Sequence, residues 1–149
     1  MAIKVGDPAP DFTLPDQHGR PTTLSEVNGP TLVVFFPAAF TPVCQSELAA
    51  LRDADLRGAT VLAISCDSPY ALRAFAEAEG FPFALLSDFW PHGDVARAYG
   101  AFHADRGIAG RLSVLLDGAG VVRARWESPA GQAREVSDYL GAIAALERA

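Results

Sequence analysis

Two stretches restrict the folds open to this chain more than anything else in it: Thr31-Leu32-Val33-Val34-Phe35-Phe36 and Thr60-Val61-Leu62-Ala63-Ile64-Ser65. Both are short, apolar and rich in β-branched or aromatic residues, which is how a strand covered on both faces of a sheet reads. Each is followed within a few residues by a hydroxyl residue and a proline, Thr41-Pro42 and Ser68-Pro69. A hydroxyl at the cap with proline in the first helical position opens a helix. The expected order is strand, helix, strand, helix, and a parallel pairing of the two strands follows from it.

The rest of the chain extends that frame. The first helix is expected to run to about Leu56, and the second carries Leu72 and Phe75 at helical spacing and stops at Gly80. Prolines 8, 10, 15, 21 and 30 permit only short structure near the start, where Asp11–Leu14 and Pro21–Leu24 read as a small hairpin. Ala84-Leu85-Leu86 is a further short strand, Val95 to Tyr99 a short helix ending at Gly100, and Leu112 to Leu116 another buried strand. Asp117-Gly118-Ala119-Gly120 turns the chain into an antiparallel partner, Val121 to Trp126. A last helix is expected from about Arg134 to Glu147, with Val136, Tyr139, Leu140, Ile143 and Leu146 on one apolar stripe. This order predicts an α/β fold of thioredoxin-like architecture, a mixed central β-sheet flanked by helices. At 149 residues, half of them apolar, the chain can bury one substantial core, and a single domain over 1–149 is expected.

Composition excludes several functions. The formal charge is -6, and the positive side chains are Lys4 and eleven scattered arginines, whereas nucleic-acid binding needs them clustered. No apolar run approaches the roughly 20 residues of a membrane span, and the first residues lead directly into polar, proline-containing sequence. Neither a membrane anchor nor a signal peptide is expected. Two cysteines do not make a secreted disulfide framework, so a redox role would be catalytic and the compartment reducing, with the cytoplasm as the expectation. His18, His92 and His103 are far apart and there is no Cys-x-x-Cys pair, so neither a metal nor another cofactor is expected.

Cys44 is the residue with most chemical potential. With Thr41 as cap, Pro42, Val43 and Cys44 fill the first three helical positions, where unpaired backbone N–H groups converge. That setting favours a thiolate and hence a nucleophile. The alternative is a small apolar side chain packed toward the sheet, the commoner fate of a lone cysteine.

The stretch Pro37-Ala38-Ala39-Phe40-Thr41-Pro42-Val43-Cys44 has the form Pro-x-x-x-Thr-x-x-Cys and follows a buried strand at the opening of a helix. In this it resembles the peroxiredoxins, thiol-dependent peroxidases. The resemblance implies that Cys44 attacks the O–O bond, that Thr41 hydrogen-bonds the peroxide and that Pro37 shields the sulfur from water. Each role has a physical reason. In-line attack builds negative charge on the departing oxygen, which donors and a cation stabilise, and proline can cover the sulfur without adding a competing N–H. Among eleven arginines the resemblance selects Arg111, just ahead of Leu112-Ser113-Val114-Leu115-Leu116-Asp117, to stabilise the thiolate and position the peroxide. Glu47 also matches the family; it either orients Arg111 or is a first-turn acid favoured by the helix dipole, and the dipole is the preferred reading. The chemistry further requires the Cys44 side chain to face a pocket.

Ser87-Asp88-Phe89-Trp90-Pro91-His92-Gly93 and Gly107-Ile108-Ala109-Gly110-Arg111 narrow the resemblance to the alkyl hydroperoxide reductase E group of one-cysteine peroxiredoxins. That group implies hydrogen peroxide, organic hydroperoxides and peroxynitrite as substrates and a sulfenic acid on Cys44. It also implies an external reductant, mycothiol with a mycoredoxin or a thioredoxin. Family members resemble homodimers or higher assemblies, which would bring Phe40 and Trp90 to a subunit contact; core packing is the competing reading.

Cys66, at the end of the second buried strand, does not match the usual resolving positions and is expected to have no catalytic duty. A thiol-disulfide oxidoreductase would need a second cysteine at the helix start, and Gln45 to Glu47 contain none. The rival from another class is a redox sensor or holdase switched by oxidation of Cys44.

Overall fold

The computed structural model describes residues 2–148. The chain starts with a small antiparallel hairpin, β1 (Thr13–Pro15) on β2 (Pro21–Thr23); β1 begins two residues later and ends one later than the sequence suggests, and β2 ends one earlier. Next come β3 (Thr31–Phe35), α1 (Pro42–Arg52), β4 (Thr60–Ser65), α2 (Pro69–Glu79) and β5 (Ala84–Ser87). After α3 (Asp94–Tyr99) there is a two-residue ladder, β6 (Phe102–His103) on β7 (Ile108–Ala109), which no pattern in the sequence marks. β8 (Arg111–Leu116), β9 (Val122–Ser128) and α4 (Val136–Arg148) complete the chain.

The main sheet has the order β5-β4-β3-β8-β9. β3, β4 and β5 run parallel, while β8 is antiparallel to both β3 and β9, so the sheet is mixed as expected. Strand alternation sorts its two faces. Leu32, Val34, Val61, Ala63, Leu85 and Leu115 point to the face covered by α1, α2 and α4. Val33, Phe35, Leu62, Ile64, Leu86, Leu112 and Val114 point to the other, where Tyr99 and Val95 of α3 pack with Phe12 and Leu14. Placing α1 and α2 on one face is what successive crossovers of one hand require when strands are added in one direction.

Two helix boundaries differ from the sequence reading. α1 stops at Arg52, short of Leu56, because Asp53 to Gly58 must turn the chain back into β4, with Arg57 and Gly58 both at positive φ. α4 begins at Val136, so Arg134 lies outside the helix in the preceding loop.

Candidate active site

β3 ends where its ladder does. Phe36 still donates its N–H to Ile64 O at 3.0 Å, and Pro37, with no N–H, closes the strand. The link to α1 is a tight turn in which Phe40 adopts a left-handed backbone, φ 64°, and the Ala39 N–H donates to the Asp67 carboxylate at 2.9 Å. Thr41 has the extended backbone of an N-cap but does not cap the helix: its hydroxyl donates to Ala38 O at 2.7 Å. Since Pro42 has no N–H, the amides at Val43 and Cys44 stand at the helix start without that side chain upon them.

Cys44, Leu48 and Leu51 are spaced i, i+4 and i+7, and all three are buried against the sheet. The same stripe carries Glu47 inward. Opposite them is β8, where Arg111 shares the alternation of Ser113 and Leu115 and so faces α1 and α4. Arg111 Nη1 donates to Cys44 Sγ at 3.4 Å and to Glu47 Oε1 at 2.6 Å, while its Nε donates to Ala130 O at 2.7 Å. Glu47 is therefore no surface acid tuned to the helix dipole. It is held from its other side by Arg134, whose Nε and main-chain N–H reach Oε2 at 2.7 and 2.6 Å and whose Nη2 reaches Oε1 at 2.9 Å. Arg134 Nη1 donates to Ser113 Oγ, which shares a hydrogen bond with the Tyr139 hydroxyl at 2.8 Å.

The side chains of Arg111, Arg134 and Glu47 are only 3–4% exposed. Burial alone would raise the Glu47 carboxyl, but the hydrogen bonds and charge of Arg134, with the charge of Arg111, hold it below the ordinary carboxylate range. Breaking such a desolvated pair costs about 3–5 kcal/mol. The sulfur is also enclosed: Cys44 is 0% exposed. A cavity of about 500 Å³ reaches Arg111, Leu112 and Ala130 but is not lined by Cys44, so the pocket the sequence reading required does not open on the sulfur. The periodicity that buries Leu48 and Leu51 buries Cys44 with them, while the turn before it is partly exposed at Pro37, Thr41 and Val43 and exposed at Phe40 and Pro42.

The chain matches the AhpC/TSA family over residues 5–125. It is 43% identical to alkyl hydroperoxide reductase E of Mycobacterium tuberculosis, over 97% of this chain and 98% of that one. The chain belongs to the AhpC/TSA family. It is a peroxiredoxin, a thiol-dependent peroxidase. It is also 35% identical to chloroplastic peroxiredoxin Q of Sedum lineare, over 97% of this chain and 80% of that one. The crystal structure of peroxidoxin BcpB from Mycobacterium tuberculosis superimposes with a TM-score of 0.84 at 31% identity, over 97% of this chain and 98% of that one. The thioredoxin-like α/β architecture agrees with that superposition.

Of the residues singled out in the sequence, this peroxiredoxin brings Cys44, Arg111 and Glu47 into contact, with Thr41 and Pro37 in the turn that leads to Cys44. Phe40 and Trp90 are not core residues, being 56% and 77% exposed, although the Phe40 ring packs on Phe75 at 5.0 Å. Cys66 is buried and unbridged at the end of β4, its thiol pushed up to about 11 by burial and then by the nearby Asp88 carboxylate. His92 is partly exposed, and its ring nitrogens lie 2.6 Å from Gly107 O and 3.3 Å from Phe89 O, clipping two loops together. His18 is exposed, and no helix among the described residues is long and apolar enough to cross a membrane.

Arg134, Ser113 and Tyr139 were missed. Arg134 read as the first residue of an amphipathic helix, one arginine among many. Ser113 did carry a legible signal, a hydroxyl in an otherwise apolar strand between Leu112 and Val114, where a buried polar group needs a partner.

Proposed function

We propose that Cys44 is the peroxidatic nucleophile of this enzyme and that Arg111, Thr41 and Pro37 complete its site, with Glu47 orienting Arg111. The observation that carries this reading is the contact of Arg111 Nη1 with Cys44 Sγ at 3.4 Å, a guanidinium against a sulfur where a helix begins. The thiolate attacks one oxygen of a hydroperoxide in line with the O–O bond. A sulfur–oxygen bond forms, the O–O bond breaks and the departing oxygen takes the electron pair, leaving a sulfenic acid and, with a proton from solvent, water or an alcohol; from peroxynitrous acid the leaving group is nitrite. Arg111 donates to the charge that develops on the reacting oxygens, and Pro37 helps to exclude water from the sulfur.

Substrates are hydrogen peroxide, organic hydroperoxides and peroxynitrite, reached by a small opening of the turn from Pro37 to Val43. The sulfenic acid is returned by an external reductant. A first thiol condenses with it, releasing water and forming a mixed disulfide, and a second thiol exchanges to free Cys44. Mycothiol with a mycoredoxin, or a thioredoxin, supplies these thiols. The enzyme works as a single domain in the cytoplasm and assembles as a homodimer or higher homo-oligomer, with the exposed Phe40 and Trp90 at the subunit contact.

Peroxide consumption by wild type and Cys44→Ser, with a sulfenic-acid trap and intact mass, tests the reading. Loss of turnover in the variant and an adduct on Cys44 alone are expected. Retained turnover, or an adduct elsewhere, overturns the assignment. A client-aggregation assay on the same two proteins separates peroxidase from holdase.

A further inference from the structure

Glu47 is a single carboxylate held between two guanidiniums. Arg134 grips it through Nε, Nη2 and its main-chain N–H, and Arg111 touches it through Nη1, the nitrogen that also donates to Cys44 Sγ. All three side chains are almost wholly buried, where charge is weakly screened and an uncompensated ion is costly. The charges do not cancel among themselves: two positive groups face one negative group.

No further buried ion faces them: His103, Asp105, Arg106 and Glu127, which line the cavity beside Arg111, and Glu135, beside Arg134, are exposed, and Arg125 is partly exposed. Arg134 Nη1 rests on Ser113 Oγ, which meets the Tyr139 hydroxyl, and both are neutral; burial keeps that phenol's proton on. β3 and α2 present Phe36, Leu72 and Phe75 to this face, and Asp138, at the start of α4, is exposed. Among the buried side chains one positive charge is therefore unmatched unless the Cys44 sulfur is ionised.

We infer that Arg134 is a positioning residue that neutralises Glu47 and so leaves the charge of Arg111 available to hold Cys44 as a thiolate. The inference rests on the nucleophilic role proposed for Cys44. Without Arg134, Glu47 would neutralise Arg111, and a thiolate would become the unmatched charge. Without Glu47, both guanidiniums would favour ionised sulfur. The two residues touch each other, yet their removal moves the sulfur in opposite directions, which a purely structural role for the pair does not do.

The test is the pH dependence of Cys44 alkylation by iodoacetamide, followed by mass on the Cys44 peptide. It is made on wild type, Arg134→Gln, Arg134→Lys, Glu47→Gln and the Glu47→Gln/Arg134→Gln double variant. The midpoint should rise by about one to two pH units in Arg134→Gln, as expected for loss of a neighbouring opposite charge. It should hold or fall in Glu47→Gln, and stay close to wild type in Arg134→Lys and in the double variant. An unmoved midpoint in Arg134→Gln, or an equal rise in Glu47→Gln, overturns the inference. If Arg134→Gln does not fold, the double variant and Arg134→Lys decide: wild-type midpoints support the charge balance and raised ones overturn it. Peroxide consumption by Cys44→Ser keeps the two readings apart. Turnover retained there defeats the nucleophile assignment, while turnover lost there with an unmoved Arg134→Gln midpoint defeats only the role of Arg134.

Discussion

The Thr41 hydroxyl donates its one proton to Ala38 O at 2.7 Å, so what it offers to the space at the start of α1 is a pair of acceptor sites. A hydroperoxide carries an O–H and can donate to them. Thr41→Ser should therefore keep most of the peroxidase rate, because the same proton can go to Ala38 and the same oxygen remains. Thr41→Val keeps the shape and loses both interactions, and its second-order rate constant with hydrogen peroxide should drop by about 10²-fold. Equal rates for the two variants would remove the hydroxyl from the mechanism.

Arg111 works in several directions at once, with Nε on Ala130 O and Nη1 between Cys44 and Glu47. A lysine ammonium is a point charge and cannot reproduce that fork. Arg111→Lys should lose about 10²-fold or more in peroxide turnover while remaining folded, since Glu47 keeps the grip of Arg134. Stopped-flow oxidation beside a thermal melt makes the comparison. A lysine variant as fast as wild type would show that charge alone suffices.

Cys66 should stay silent through the cycle. Burial and the Asp88 carboxylate push its thiol up to about 11, so it is protonated at neutral pH and a poor attacker of a sulfenic acid. After one equivalent of peroxide, Cys66 should remain a free thiol, and Cys66→Ser should turn over at the wild-type rate. Rapid loss of both thiols to one internal bridge would restore a resolving role for it.

Glu47 makes stability depend on pH with a definite sign. Its folded carboxyl lies below the ordinary value, chiefly because Arg134 outweighs the effect of burial. The unfolded chain therefore takes up the proton first as pH falls. The contribution is fully present above the ordinary glutamate range near ~4.3 and is lost as pH drops through it toward the folded value. Urea melts between neutral pH and about pH 3 should show the advantage of wild type over Glu47→Gln shrinking in that window. Asp88 acts in the opposite sense: burial raises its carboxyl despite the N–H groups of Val95 and Ala96, so it weakens the fold as pH rises. A wild-type advantage that stays constant to low pH would mean that Glu47 is not the titrating group.

Trp90 and Phe40 expose large apolar area, which costs free energy unless something covers it. Trp90→Ala should shift the protein toward monomer in sedimentation at micromolar concentration without lowering its melting temperature as a core deletion would. A wild type that sediments as a monomer, or a distribution the substitution leaves unchanged, would remove Trp90 from the proposed subunit contact.

Both buried strands, the proline-opened helices and the glycine stops at Gly80 and Gly100 were readable, because strand alternation, caps and left-handed stops are local properties of a few residues. β6 and β7 escaped, since two residues carry no period. Cys44 and Thr41 were legible through the spacing around one helix start, but the direction of the Thr41 hydroxyl was not, because Ala38 O competes with the helix amides for it.

From sequence alone came the α/β order, the helix start beneath Cys44 and the resemblance that selected Arg111. Only the folded chain brought Arg111 onto Cys44, turned Glu47 from a first-turn acid into a buried anchor and supplied Arg134 as its second partner. The reason lies in range. Helix caps and strand alternation are decided by neighbours along the chain, whereas desolvating three charges together depends on which side chains β8, α1 and the loop before α4 deliver to one place. Arg111 stands 67 positions from Cys44, and Arg134 87 positions from Glu47, so no local pattern records either meeting.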